Sequence, residues 1–172
     1  ADLSGCNLID VDFTNGHLSG ARLDKANVHQ ADFSGADLSR ASFVGACGKS
    51  VDFTQSNLEG SDLSNVTFAD PCFEKSLMAR CRCLQGVLRG GNFSRADCRG
   101  AAFYQTNLQY TDFSHAHLEG TNFLHCDMQG ARFHGIIEKN TSWQSSVTLH
   151  AEYTDKDLVE AELWRSPLQG KI

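Results

Sequence analysis

The stretch ADFSGADLSRASF, residues 31–43, contains the five-residue unit from which almost the whole chain is built. The unit is a small residue, Asp or Asn, Phe or Leu, a small polar residue and a fifth residue of any type. Its central residue recurs every five positions from Leu3 to Trp143 without insertion or deletion, which gives 29 units in the 172-residue chain. All 11 Phe and both Met of the chain fall in this central phase. A fixed short period of this kind indicates a repeat architecture.

A period of five excludes the commonest secondary structures. An α-helix needs apolar residues at a spacing of 3.6 and a half-buried strand needs alternation, and a strict five satisfies neither for long. The remaining positions are rich in Ser, Thr, Gly, Asn and Asp, which favour turns and extended chain. The period is satisfied by a solenoid whose coil contains a whole number of units, because equivalent residues then stack on one another.

The units ADLSG, ADFSG, ADLSR, SNLEG and TNFLH resemble the A-(D/N)-L-x-x signature of the pentapeptide repeat family over residues 1–145. The resemblance implies an all-β, right-handed quadrilateral parallel β-helix with four units per coil, hence about seven coils and a rod about 35 Å long. It also implies that the central residue and the small residue two before it point inward. The expected core ladder is Phe13, Phe33, Phe53, Phe73, Phe93, Phe113 and Phe133.

Two residues depart from the pattern inside the repeats. Pro71 replaces a small residue and lacks an N–H group, so we expect one hydrogen bond between coils to be missing there. Gly48 stands at a central position and leaves it empty. We expect either a bulge near residues 46–50 or a neighbouring Phe that leans over the gap.

Residues 146–172 form a C-terminal tail after the repeats of residues 1–145. Thr154 resembles a helix N-cap, and Pro167 ends the predicted short capping helix. Its apolar residues cover an arc of about 260°, wider than one buried face requires: they are Leu158, Val159, Ala161, Leu163 and Trp164. One face is expected to close the last coil over Trp143. The surplus, chiefly Leu163 and Trp164, predicts a homodimer contact or a contact with a following domain; the alternative is a short helix of imperfect amphipathicity.

The chain begins in frame at Ala1, with no residues that could cover the edge of the first coil. Because natural proteins cover such edges, we expect the native protein to continue upstream or the chain to be a trimmed domain. No apolar run approaches the length of a membrane span. The seven cysteines do not suggest a disulfide scaffold: five are predicted to point inward, and only Cys47 and Cys72 fall in outward phases. We therefore expect a reducing, cytoplasmic compartment.

Charge is unevenly distributed along the rod. The net charge is −6, but a basic belt lies between the two acidic ends. The belt is formed by Arg80, Arg82, Arg89, Arg95 and Arg99. A belt of this kind can pair with an acidic protein surface or with nucleic acid, or can simply be solubilising charge. No set of aromatic residues accompanies it, so binding of single-stranded nucleic acid is not expected.

The sequence gives no support for catalysis, a cofactor or a metal. Asp112, Ser114 and His115 lie together, but the first two are ordinary occupants of their repeat positions, and a convex rod offers no desolvated cleft. Four histidines are concentrated in one region: His115, His117, His125 and His134. His115 and His134 are 19 residues apart and could face each other on adjacent coils, but solvated surface histidines are the preferred interpretation over a metal pair. Cys81 and Cys83 are predicted to be inert core residues.

Two functions remain. The first is a non-enzymatic rod that acts as a protein–protein interaction module, alone or within a larger protein. The second is implied by the resemblance: some family members mimic duplex DNA, bind DNA gyrase or topoisomerase IV, and protect against quinolones or toxins. Such members have strongly negative surfaces and dimerise through C-terminal elements. The arginine belt disfavours the second function here.

Overall fold

The computed structural model describes residues 1–154, which form a right-handed quadrilateral parallel β-helix. Its backbone bridges join residues 20 positions apart, such as Asp32 with Asp52 and Asn92 with Asp112, so each coil holds four units. The described residues make about seven and a half coils. Each coil has four faces, and the central residues of one face recur every 20 positions. Face 1 has central residues from Leu3 to Trp143, face 2 from Leu8 to Thr148, face 3 from Phe13 to Tyr153, and face 4 from Leu18 to Glu138.

Seven short strands are long enough to be named in residues 1–154. They are β1 (Cys47–Lys49), β2 (Thr67–Ala69), β3 (Arg82–Leu84), β4 (Ala102–Tyr104), β5 (Asn122–Leu124), β6 (Arg132–Phe133) and β7 (Glu152–Tyr153). β1 pairs with β2 on face 2, and β6 pairs with β7 on face 3. β3, β4 and β5 form a three-stranded parallel sheet on face 1. These strands are the most regular parts of a ladder that continues around the rod as isolated bridges.

The core contains the two phases that were predicted to point inward. On face 3 the phenylalanines from Phe13 to Phe133 form one column, with neighbouring ring centroids 4.6–5.6 Å apart and nearly parallel. All but the terminal Phe13 are fully buried. Rings of face 1 meet this column edge-on, as Phe43 does against Phe33 and Phe53. Stacked and edge-to-face rings are the arrangements that aromatic pairs prefer, and they fill this part of the core.

Polar residues at fixed positions stabilise each turn. An Asp or Asn before the central residue accepts a hydrogen bond from the N–H of the residue after it, as Asp32 does from Ser34 at 2.8 Å and Asp52 from Thr54 at 2.7 Å. This local bond explains the preference for Asp and Asn at the second position of the unit. The fifth residue of each unit forms a corner of the coil. It has a positive φ in every unit from Gly5 to His150, and 20 of these corner residues are not glycine.

Pro71 does not remove a hydrogen bond between coils, so that expectation was wrong. The N–H at its position in the unit normally bonds within its own turn, as Cys81 N does to Met78 O at 3.1 Å. The bonds between coils use the residues on either side and the carbonyl of Pro71, which accepts from Asn92 N at 2.9 Å. Proline is tolerated here because the ladder does not need its donor.

The bulge expected near Gly48 does not form. β1 runs in register with β2 through Gly48 and Phe68. A Cβ atom at Gly48 would lie 2.8 Å from the Val51 side chain and 3.1 Å from the Val28 backbone, so the position is occupied by its neighbours. The nearby rings of Phe53 and Phe68 are tilted by 37°, at a centroid distance of 6.0 Å.

The ladder continues past residue 145, the predicted end of the repeats. Val147 bridges Asp127, and β7 pairs with β6 through Glu152 and Arg132. The predicted capping helix, with Leu163 and Trp164, lies outside the described residues and stays a prediction. Within residues 1–154, no helix is long and apolar enough to cross a membrane.

Candidate protein-binding surface

The arginine belt is spread over the four faces, as predicted. Arg82 lies on face 1, 3.7 Å from Asp62 of the preceding coil. Arg89 lies on face 2, and Arg95 forms the corner after face 3. Only Arg80 and Arg99 belong to units of the same face, face 4. The belt is therefore not one patch, and face 4 is where two of its arginines act together.

Face 4 has a shallow groove, which we call the face 4 groove. One half, of about 410 Å³, is lined by Glu59, Leu77, Ala79, Arg80, Asp97 and Arg99. The other half, of about 460 Å³, is lined by Ser19, Ser39, Arg40, Asn57, Glu59, Gly60 and Arg80. The two halves share Glu59 and Arg80 and so form one continuous surface.

Leu77 is the large apolar residue in one half of this groove. It stands at the second position of its unit, where Asp or Asn is usual, and 49 % of its surface is exposed. Its backbone is held by the ladder, since Leu77 N donates to Ser56 O at 2.9 Å and Leu77 O accepts from Leu58 N at 2.7 Å. A large apolar side chain is thus presented to solvent on a rigid support. The signal for Leu77 in the sequence is a large apolar residue at the second position of its unit, but the unit does not show that Arg80 and Arg99 line the same groove.

The two arginines of the groove are held to different degrees. Arg99 binds Asp97 through two bonds, Nε to Oδ1 at 2.8 Å and Nη2 to Oδ2 at 2.6 Å. These bonds lower the pKa of Asp97 and raise the pKa of Arg99. Arg80 is only loosely paired, with Nη1 3.8 Å from Oε1 of Glu59, and 81 % of its side chain is exposed. The groove therefore offers one fixed guanidinium and one that is available to a partner.

A second arrangement of belt residues was not predicted. The guanidinium of Arg89 lies 4.5 Å over the ring of Tyr110 and bonds to Gln109. The other side of that ring lies against Gly130, where a Cβ atom would be 2.7 Å from Tyr110 Cδ1. The signal in the sequence is a corner glycine 20 residues after a large corner residue, which lets the side chain lie flat over the next coil. Arg40 over Gly60 and Arg80 over Gly100 follow the same rule.

The histidine-rich region does not assemble a metal centre in residues 1–154, where no three His, Cys, Asp or Glu side chains are placed to hold an ion. His115 and His134 do face each other, with ring centroids 5.2 Å apart and planes at 89°. His125 packs edge-on against Tyr104 at 5.9 Å, and His117 lies on face 4 beside Asp97. Solvated surface histidines stay the prediction for this region.

All seven cysteines are free thiols. Four of the five predicted inward residues are buried, and Cys6 of the first coil is partly exposed: the four are Cys81, Cys83, Cys98 and Cys126. Burial raises the pKa of each of these four thiols. Cys47 is exposed and Cys72 is partly exposed. The buried thiols act as packing groups, since a thiol held protonated is a poor nucleophile.

Comparison with known proteins agrees with this architecture. The family model of pentapeptide repeats matches in eight copies, over residues 1–40, 17–47, 49–82, 87–120 and 96–135. No curated protein sequence matches the chain.

Two solved structures share the fold. HetL, a pentapeptide repeat protein involved in heterocyst differentiation regulation in the cyanobacterium Nostoc sp., is 17% identical with a TM-score of 0.54, over 88% of this chain and 86% of HetL. QnrB1, a plasmid-mediated fluoroquinolone resistance protein, is 18% identical with a TM-score of 0.54, over 90% of this chain and 94% of QnrB1. At these identities the likeness concerns the fold alone.

Proposed function

Because the chain belongs to the pentapeptide repeat family, a family of rigid β-helical rods, we propose that it is a non-enzymatic module that binds another protein through the face 4 groove. The observation that carries the proposal is the exposed Leu77 in the same groove as Arg80 and Arg99. An apolar anchor surrounded by arginines is typical of the few residues that dominate the energy of a protein interface. The perturbed carboxylate of the groove, Asp97, already pairs with Arg99, which supports a binding role over a catalytic one.

The groove favours a partner segment with an aliphatic side chain and a carboxylate close together. The aliphatic group would cover Leu77 and Ala79, and the carboxylate would replace the loose contact of Arg80 with Glu59. Arg99 would keep its bonds to Asp97 and act as a fixed wall of the site. Arg99 is already held by Asp97, so the main loss of conformational freedom on binding falls on Arg80.

Leu77→Asp tests the proposal against a matched control, Val87→Asp. Val87 occupies the same unit position on face 2 and is 36% exposed. Partners captured by the wild-type protein should be retained by Val87→Asp and lost by Leu77→Asp. With a purified partner, Leu77→Asp should raise the Kd by at least about tenfold. Full retention by a folded Leu77→Asp protein would disprove a role for the groove.

The DNA-mimicking function is a second candidate, and one feature favours it. Asp12, Asp32 and Asp52 form a column on face 3, about 4.8 Å apart from coil to coil, without a basic residue between them. The column ends at Cys72, and further along the rod Asp112 pairs with Arg132 at 3.0 Å, so the acidic surface does not run the length of the rod. A gyrase supercoiling assay with and without a fluoroquinolone tests this candidate. No effect at micromolar protein would remove it.

We also propose that a homodimer can form through the predicted C-terminal helix and its Leu163 and Trp164. Leu149 and Tyr153 are each 57% exposed on the last described coil, so one face of the helix could cover them and leave the surplus residues for a second copy. Light scattering on the wild-type protein and Trp164→Ala tests it. Equal monomer masses for both proteins would end the idea.

The free thiols support a cytoplasmic location, as proposed from the sequence. Alkylation and mass measurement on protein taken directly from its source organism should show seven reactive thiols after denaturation. Recovery of stable disulfides would indicate an oxidising compartment instead.

A further inference from the structure

Face 1 carries an outward apolar stripe on the three-stranded sheet. It is formed by Leu84, Tyr104 and Leu124, which are direct neighbours in the register of β3, β4 and β5. Tyr104 is 37% exposed, and the two leucines are half-buried. All three stand at the fourth position of the unit, where small polar residues are usual. We call this the face 1 stripe.

Polar residues border the face 1 stripe on both sides. The corner before it has Arg80, Gly100 and Gly120, and the side chain of Arg80 lies over Gly100. The corner after it has Gln85, Gln105 and His125, and Gln85 bonds to Gln105 at 3.1 Å. An apolar centre with a polar rim is the usual anatomy of a protein interface.

The outward residues of the sheet are arranged symmetrically about β4. Along the fourth position the order is Leu84, Tyr104, Leu124, which reads the same in both directions. Along the second position the order is Arg82, Ala102, Asn122, with the smallest residue in the middle. Across a two-fold axis along β4, a residue of β4 faces its own counterpart, and a residue of β3 faces the residue of β5 in the same row. The row of fourth positions is therefore matched to itself.

We propose that a second copy of this chain packs on the face 1 stripe, with the two rods antiparallel and the two-fold axis along β4. Tyr104 then faces Tyr104 of the second copy, and Leu84 faces Leu124. Arg82 faces Asn122, so no like charges oppose each other across the sheet. This contact is separate from the face 4 groove and from the predicted C-terminal helix.

The size of the surface sets the strength of this contact. The stripe spans about 10 Å along the rod, since coils are about 4.8 Å apart. A standard stable interface buries about 800 Å² on each partner, which is more than three coils of one face can supply. We therefore expect reversible association, with a Kd on the order of 10–100 μM, rather than a permanent dimer.

Sedimentation velocity of the full chain over a range of about 5–500 μM tests the proposal. The wild-type protein should shift from monomer to dimer with concentration, and Tyr104→Glu should stay monomeric. Tyr110→Glu is the matched control, because Tyr110 is 51% exposed but lies at a corner away from the stripe. Trp164→Ala should keep the concentration dependence, which separates this contact from one made by the tail.

Two charge variants test the register of the contact without changing the stripe. Asn122→Asp places a carboxylate opposite Arg82 of the second copy at two symmetric positions, and it should tighten association by at least about fivefold. Asn122→Arg should weaken it, and adding Arg82→Asp to that variant should restore it. A wild-type protein that is monomeric at every concentration would overturn the proposal. So would a dimer unaffected by Tyr104→Glu, or equal affinities for the two Asn122 variants.

Discussion

Two neighbouring walls of the same coils, face 3 and face 4, differ in their packing. On face 3, the ring of Phe93 lies 4.8 Å from Phe73 and 4.6 Å from Phe113. On face 4 the corresponding residues are Met78 and Cys98, with no ring between them. The backbone ladder is nevertheless the same on both walls: Phe93 N bonds to Asp112 O at 2.7 Å, and Met78 N bonds to Asp97 O at 2.7 Å.

The difference shows that the ladder and the core are separable in this fold. The bonds between coils depend on backbone register, which the unbroken period of five maintains. The core can therefore change from aromatic to sulfur-containing side chains from wall to wall, as long as the tube stays filled. We call face 3 the aromatic wall and the part of face 4 at Met78 and Cys98 the sulfur wall. The sulfur wall lies beneath the groove lined by Leu77, Arg80 and Arg99.

Phe93→Ala should have the largest effect, because it removes a fully buried ring from the middle of the aromatic wall. We expect a loss of about 3–5 kcal/mol in the free energy of unfolding, since both ring contacts are lost and a cavity remains. Urea unfolding followed by circular dichroism measures it. Cys98→Ala, on the sulfur wall of the next unit, is the control and should lose far less. Equal losses would show that the two walls contribute alike.

Cys81→Ala should have an intermediate effect that appears only at alkaline pH. Burial raises the pKa of Cys81 in the folded protein, while the unfolded thiol ionises from about pH 8.5 upward. The contribution of the protonated thiol to the free energy of unfolding is thus fully present below that pH. It is lost as pH rises, by about 1.4 kcal/mol per pH unit for each buried thiol.

At about pH 10, Cys81→Ala should therefore be more stable than the wild-type protein by about 2 kcal/mol. Near neutral pH the two proteins should be close, because Ala is the commonest residue at this position of the unit. Denaturant unfolding at both pH values measures the difference. An identical pH dependence for the two proteins would contradict the buried, protonated state of Cys81.

Asp97→Asn should have the smallest effect on the free energy of unfolding. It removes the charge that pairs with Arg99 at the face 4 groove. The bonds from Arg99 lower the pKa of Asp97, so the carboxylate stabilises the fold above about pH 4 and this contribution is lost as pH falls through the lowered pKa. More than half of the Arg99 side chain is exposed, so solvent screens the pair and we expect a loss of about 1 kcal/mol or less. Thermal unfolding at neutral pH and near pH 3 measures it. A loss that persists unchanged at the acid pH would exclude the ion pair as its cause.

Most of the fold could be predicted from the sequence because one period fixes phase, register and burial together. The same period explains why the missing bond at Pro71 and the bulge at Gly48 were wrongly expected. It does not show that the N–H at the position of Pro71 bonds within its own turn, or that Val51 and Val28 occupy the space at Gly48. Both depend on local geometry that a one-dimensional pattern omits.

The candidate surfaces were harder to predict for a different reason. The sequence predicted Arg80 and Arg99 as members of the arginine belt. That they line one groove with Leu77 depends on how side chains pack against the next coil. The stack of Arg89 on Tyr110 needs the glycine at position 130 beneath the ring, a relation 20 residues away that the unit itself does not contain.

The ladder that joins residues 20 positions apart also determines how the rod would respond to a pulling force at its two ends. The hydrogen bonds between coils lie along the direction of pull, and each coil is held only by its neighbours. All coils carry the same force, and a terminal coil, which is held by one neighbour only, would detach first. Each detached coil would release about 65–70 Å of chain, so tension would extend the molecule in equal steps.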